Sequence, residues 1–245
     1  MDSYKDFASV YDSLIYEDID YDGWSEIIIK VAKSKGVKFN NYLDLACGTG
    51  NMTEKISKYF KKTYAVDIST EMLTKAKEKF YNRADVMLLC QDITNLELNK
   101  KFDLVTCSLD GLNYITDEKK LYSFFSSLNN YIEKEGLFIF DINSYYKLSS
   151  VLGNNTYSYD SEDITYVWDN NFENDLVDMY LTFFVRAEGH YNRFDEHHRE
   201  RAYRETFIED MLYKTGYEVL HKYDSYSETE VSPETERIVY ILRRG

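Results

Sequence analysis

The stretch Tyr42-Leu-Asp-Leu-Ala-Cys-Gly-Thr-Gly50 constrains this chain more than any other, because a short apolar strand ends there in two glycines and turns straight into an amphipathic helix. Gly48 and Gly50 lack a Cβ, so they accept positive φ and let the backbone run close beneath a ligand. The helix that follows offers its unpaired N-terminal N–H groups beside the same place. The loop therefore reads as the floor of a nucleoside site.

Two ligand classes use such a floor. The dinucleotide fingerprint G-x-G-x-x-G wants a third small residue for close packing and seats a pyrophosphate on the helix N-terminus. Here the third position is Thr53, and the strand carries an acid, Asp44, just before the loop. A carboxylate there repels a pyrophosphate but suits a ligand bearing an ammonium and a sulfonium, which is S-adenosylmethionine (SAM). The segment from Leu43 to Gly50, with Asp44, Ala46, Gly48 and Gly50, resembles the first motif of class I SAM-dependent methyltransferases. A nicotinamide-dependent reductase is the reading these residues disfavour.

Beyond the loop, Tyr64-Ala-Val-Asp67 is a short strand ending in an acid seventeen residues past Gly50, where a doubly wound fold places the carboxylate that accepts both ribose hydroxyls. Asp67 with Ser69 also fits a helix cap. The resemblance adds Ile68 to the nucleoside wall. It places adenine after the third strand, Val86 to Cys90, with Asp92 accepting from the exocyclic amine and the Ile93 amide meeting the ring. Asp92 is equally a turn residue. After the fourth strand, Phe102 to Cys107, the segment from Ser108 to Tyr114 leaves the sheet at its carboxyl end, where open α/β sheets bind ligands. The resemblance makes it the loop beside the methyl group, with Ser108 at the cofactor and Asn113 and Tyr114 at the acceptor.

Strands and helices alternate up to Leu137-Phe-Ile-Phe-Asp-Ile142, which implies a parallel sheet with right-handed crossovers. Gly136 reads as the stop of the preceding helix. Upstream, Tyr4, Phe7, Val10, Tyr11 and Leu14 recur at helical spacing, as do Trp24, Ile27, Ile28 and Val31. These two helices resemble the N-terminal cap of small bacterial members of the family, in which a tyrosine closes over the cofactor's methionine end; Tyr11 is the candidate. Met52, Ile56, Tyr59 and Phe60 form a further helical stripe, with Lys61 and Lys62 at its C-terminal end.

Past Asn143 the texture changes to turn signals between strand-like runs, and Val177, Met179, Leu181, Phe183 and Val185 alternate with period two. This predicts three or four antiparallel strands inserted as a lid. The expected fold is thus an α/β, doubly wound, mostly parallel seven-stranded Rossmann-like sheet. The core spans 1–152 and 205–245, and the lid spans 153–204. In the family the final strand inserts antiparallel beside the fifth. The last lid strand carries Glu196-His-His-Arg-Glu-Arg-Ala-Tyr203. Alternation puts Glu196, His198 and Glu200 on one face and His197, Arg199, Arg201 and Tyr203 on the other. The pattern resembles the lid strand of related small-molecule methyltransferases, with His198 as candidate base and Arg201 and Tyr203 as acceptor contacts. A solvated, salt-bridged face is the competing reading.

The net charge of -14 over 245 residues argues against nucleic-acid partners, whose phosphates are met by Lys and Arg. Cys47, Cys90 and Cys107 lack metal or disulfide spacing and read as reduced packing residues of a cytoplasmic protein. No metal motif, leader or membrane span is expected. The expectation is a SAM-dependent methyltransferase acting on nitrogen or oxygen of a small molecule, with a non-catalytic SAM-binding or protein-interaction module as the alternative. The oligomeric state is left open.

Overall fold

The computed structural model describes residue 12 and residues 19–245. Tyr11 and the first expected helix lie outside the described residues. Helix α1 (Tyr21–Ser34) starts where the Asp20 carboxylate accepts from the Gly23 amide at 2.9 Å, and it buries Ile28, Ile29, Val31 and Ala32. Next come β1 (Asn41–Leu45), α2 (Asn51–Ser57), β2 (Lys62–Asp67), α3 (Thr70–Lys79), β3 (Val86–Cys90), β4 (Phe102–Cys107), α4 (Glu118–Leu128) and β5 (Ile132–Asn143). A π-helical turn, Lys147–Leu152, leads into β6 (Thr156–Asp160), β7 (Ile164–Glu173), β8 (Leu176–Ala187) and β9 (His190–Arg201). Helix α5 (Glu205–Lys214) and strands β10 (Tyr217–Asp224) and β11 (Arg237–Arg244) close the chain.

The seven-stranded sheet has the order β10-β11-β5-β4-β1-β2-β3. Neighbours from β5 to β3 are parallel, whereas β11 runs antiparallel between β5 and β10. Its central strands β1 and β4 are buried along almost their whole length because helices cover both faces, and two core clusters lie one on each side. The order reverses between β1 and β4, so their carboxyl ends open a crevice.

Three local expectations are corrected. Helix α2 is shorter than its stripe: Tyr59 is outward, and Lys62 already belongs to β2. Gly136 stops no helix, since α4 ends at Leu128 and Gly136 lies within β5. A Cβ there would stand 2.9 Å from the Phe102 carbonyl, beside a register shift between Phe102 and Leu104, so the close backbone approach requires glycine. Cys90 is exposed because β3 is an edge strand, while Cys107 is buried.

The inserted sheet has four antiparallel strands, β6-β7-β8-β9. Asn174 and Asp175, both left-handed, make the two-residue turn between β7 and β8. Val177 and Met179 of its alternating face pack on Leu148, Leu152 and Ala202. No helix among the described residues is long and apolar enough to cross a membrane.

Candidate active site

The glycine loop is held from below and open above. Ala46, Gly48 and Gly50 have φ of 52°, 54° and 81°. A Cβ added at Gly48 would meet nothing within 4 Å, so the loop leaves a cradle there. At Gly50 the added Cβ would stand 2.7 Å from Phe80 Cε2, so this glycine clears space for the α3 side chain, which corrects the expectation that both glycines clear space for a ligand.

Asp67, at the end of β2, accepts from the Gly48 amide at 2.7 Å and the Ser69 amide at 2.9 Å. Burial pushes its carboxyl up, and the amides pull it back. Ser69 caps α3 by accepting from the Met72 amide, so Asp67 is not needed as that helix's cap. Ile68 beside it is 63% exposed, an uncovered apolar side chain. The Gln91 amide donates to the Asp67 carbonyl at 3.0 Å, which brings Asp92 and Ile93 to the same wall. Asp92 accepts from the Thr94 amide at 2.8 Å and begins a short 3-10 turn, leaving its exposed carboxylate room for a further donor. An open backbone cradle, a carboxylate at the strand end and an exposed apolar edge fit a nucleoside.

Asp44 lies beneath the loop and does not face it. The hydroxyls of Thr53 and Thr106 donate to it at 2.5 and 2.7 Å, and burial raises its carboxyl to about 6. Thr53, which departs from the dinucleotide pattern, is thus the residue that clamps this acid. Asp12 is tied to the loop through Thr49 Oγ1 (2.5 Å) and to the end of α3 through Lys79 Nζ (2.8 Å); burial opposes its charge, but these partners hold its carboxyl below the usual range.

A second polar cluster occupies the carboxyl ends of β4 and β5. Asp141 accepts from the Leu109 and Asp110 amides, each at 2.8 Å, and from the Tyr226 hydroxyl at 2.6 Å. That hydroxyl lies 3.0 Å from Ser108 Oγ. Arg237 bridges Asp141 and Asp110, the latter at 2.8 Å. Burial opposes the guanidinium charge, and the two carboxylates more than restore it. Trp24 stacks on Tyr226 with centroids 4.2 Å apart. Leu109 and Asp110 hold left-handed backbone at φ 59° and 53°, strain that the Asp141 contacts fix in place. Sequence reasoning named Ser108 here and missed Asp110, Asp141, Tyr226 and Arg237. The legible signal was Asp141, an acid inside the apolar run Leu137–Ile142.

The inserted sheet turns one face of β9 toward this cluster. Glu196, His198 and Glu200 are buried, and His197 and Arg199 point to solvent, where both bind Asp178 at 2.7 Å. The expected alternation of β9 is therefore present, with one face buried and the other exposed and salt-bridged. The Tyr114 ring stands perpendicular to that of His198 at 6.0 Å, so two expected site residues meet. Burial pushes His198 down to about 4, which keeps its imidazole neutral. Glu200 Oε2 accepts from Asn143 Nδ2 at 2.9 Å, joining the inserted sheet to β5.

Three expected acceptor contacts serve the fold instead. Asn113 is fully buried, and its amide donates to the carbonyls of Asn143 and Arg201. Arg201 Nε donates to the Thr116 carbonyl at 2.7 Å, and the Tyr203 hydroxyl donates to the Ile115 carbonyl. Together they fasten the end of β9 to the loop after β4.

A family model described as a methyltransferase domain matches residues 43–136. YqeM of Bacillus subtilis (strain 168), a methyltransferase by name, is 31% identical over 99% of this chain and 97% of its own length. A dTDP-3-amino-3,4,6-trideoxy-alpha-D-glucopyranose N,N-dimethyltransferase of Streptomyces venezuelae is 29% identical over 55% of this chain and 56% of its own. The crystal structure of a SAM-dependent methyltransferase from Clostridium acetobutylicum ATCC 824 is 51% identical, covers 99% of both chains and superposes with a TM-score of 0.93. With this sheet order, and with relatives 31% and 51% identical over almost the whole chain, the chain belongs to the class I SAM-dependent methyltransferases.

Proposed function

We propose that the enzyme methylates a nitrogen or oxygen atom of a small molecule held between the carboxyl ends of β4 and β5 and the four-stranded sheet, and that the inserted segment 153–204, which carries this sheet, acts as a lid over the site. The observation that carries this reading is the buried polar face of β9, joined through Glu200 and Asn143 to the strand that ends beside the cluster. A solvated surface sheet has no reason to bury two glutamates and a histidine. The Streptomyces venezuelae relative, named for an amino-sugar substrate, supports a small acceptor.

In this reading Asp67 binds the ribose hydroxyls, Ile68 and Ile93 border the adenine, and Asp92 accepts from its amine. Gly48 with Ala46 forms the floor, Ser108 lies beside the reacting end, and Asp44 acts through its field beneath the loop. Bound SAM supplies a methyl group on a sulfonium. The chain's own task is to align the acceptor in a dry cavity, and positioning alone lowers a barrier by roughly 7–11 kcal/mol. His198, neutral and edge-on to Tyr114, orients the acceptor or takes its proton.

The test is S-adenosylhomocysteine release with panels of small amines, alcohols, peptides and RNA. Turnover with a small amine or alcohol is expected. His198→Ala is expected to lower that turnover at least tenfold with unchanged SAM affinity. Turnover confined to peptide or RNA acceptors overturns the reading.

A further inference from the structure

We infer that Glu200 is the carboxylate that receives the acceptor, and that the acceptor is a small amine arriving as its ammonium. The inference rests on the proposed methyl transfer and goes further by assigning the acceptor's charge and a residue to it.

Glu200 is 2% exposed, and the Asn143 amide is the one hydrogen-bond donor to its carboxylate among the described residues. An ionised carboxylate has about four acceptor positions, and burying it so sparsely served is unfavourable unless a further donor comes from a ligand. The neighbouring cations do not fill that place. Arg237 commits Nη1 to Asp141 and Nη2 to Asp110, and Lys147 Nζ donates to Asn143 Oδ1 at 3.0 Å. Once ionised, Glu200 is a third carboxylate beside Asp110 and Asp141 against the two cations Arg237 and Lys147, so its charged form calls for a further cation. An ammonium supplies that cation together with N–H donors, whereas an alcohol brings no charge to pair with the carboxylate and an anion opposes it.

The groups facing Glu200 also suit a proton acceptor. Burial raises its carboxyl to about 8, Asp110 pushes the same way, and Asn143, Lys147 and Arg237 pull it back. His198, two residues along the same face, is neutral. A carboxylate near 8 takes a proton from an alkylammonium, whose pKa is about 10, far more readily than one near 4. In that step the N–H proton moves to Glu200, giving a carboxylic acid, and the N–H electron pair stays on nitrogen as the lone pair of the free amine. Because Glu200 with no cation paired to it is largely protonated at pH 7, binding an ammonium releases about one proton to solvent.

The experiment uses the full chain saturated with S-adenosylhomocysteine. Thermal shifts are measured for small amines (3-amino-3-deoxy-D-glucose, ethanolamine, benzylamine) and for their hydroxyl counterparts (D-glucose, ethylene glycol, benzyl alcohol). At least one amine is expected to raise the melting temperature while its counterpart does not. Glu200→Gln, which keeps the acceptor for Asn143, is expected to weaken that amine roughly tenfold or more and to leave the S-adenosylhomocysteine shift intact. Calorimetry at pH 7 in two buffers of different ionisation enthalpy is expected to find about one proton released per amine bound, and none for Glu200→Gln. Should Glu200→Gln fold poorly, Glu200→Asp keeps the charge and is expected to bind the amine more weakly while still releasing the proton. The inference is overturned if no amine shifts the wild type, if alcohols shift it equally, or if amines bind Glu200→Gln as they bind wild type. Failure of S-adenosylhomocysteine itself to bind would instead sink the methyl-transfer reading.

Discussion

One methyl group added at Gly48 and, separately, at Gly50 distinguishes a ligand cradle from a packing constraint. Both residues have left-handed φ, so alanine at either costs roughly 1–2 kcal/mol of backbone strain. Ala46 already sits at φ 52°, so the loop carries such a residue without losing its shape. At Gly48 strain is the whole penalty, because the new Cβ enters open space. At Gly50 it meets Phe80 Cε2 at 2.7 Å and Ala76 Cβ at 3.4 Å, and overpacking of that kind adds roughly 1–3 kcal/mol. In a chain of this size each kcal/mol lowers the melting temperature by roughly 2–4 °C. Gly50→Ala is therefore expected to melt several degrees below Gly48→Ala, and Phe80→Leu in the Gly50→Ala background to recover part of the difference. Calorimetric titration with S-adenosylhomocysteine should show the reverse ranking, with Gly48→Ala weaker by roughly tenfold or more and Gly50→Ala within a few-fold of wild type. Wild-type affinity in Gly48→Ala, or equal melting temperatures for the two variants, would refute the reasoning.

Arg237→Met leaves the buried Asp141 and the half-buried Asp110 without their counterion and is expected to destabilise by roughly 3–5 kcal/mol in urea denaturation; adding Asp141→Asn should recover part of the loss. The pH dependence of stability has a definite sign. Glu200 is raised from 4.5 to about 8 and Asp44 from 3.8 to about 6, so the folded state holds protons that the unfolded chain has released. Their stabilisation is complete below pH about 4 and is lost as pH rises through about 8. His198, depressed from 6.5 to about 4, acts oppositely and removes stability as pH falls through that window. Urea midpoints at pH 6.5 and 8.5 should therefore differ, and Glu200→Gln should shrink the difference.

The core was legible because its signals are local. The apolar strands that end in acids, the helix cap Ser69 and, in the inserted sheet, the period of two in Val177–Val185 each act within a few positions, and the structure uses them so. The last strand beside β5 followed from the family resemblance. The Asp110–Asp141–Arg237 cluster was not legible, since its members lie up to 127 residues apart and only the sheet order joins them. Alternation sorted β9 into two faces but gave no sign of which faces inward, and that depended on Asn143 reaching Glu200. Asn113 and Arg201 were half legible for a related reason: a polar side chain at a strand end serves a ligand and a buried backbone carbonyl equally well, and the sequence does not show the packed carbonyl that each one meets.

The position of β11 bears on how the enzyme is made. It lies between β5 and β10 yet leaves the ribosome after every other strand of the sheet, so β5 waits with an open edge until this last segment arrives. Arg237 opens that segment and is the counterion of two acids on earlier strands and their loops. Until it docks, the nascent domain carries unbalanced negative charge at the mouth of its own crevice. Insertion of the final strand neutralises that charge and seals the exposed edge together, so the charged cluster and the finished sheet are completed by the same segment.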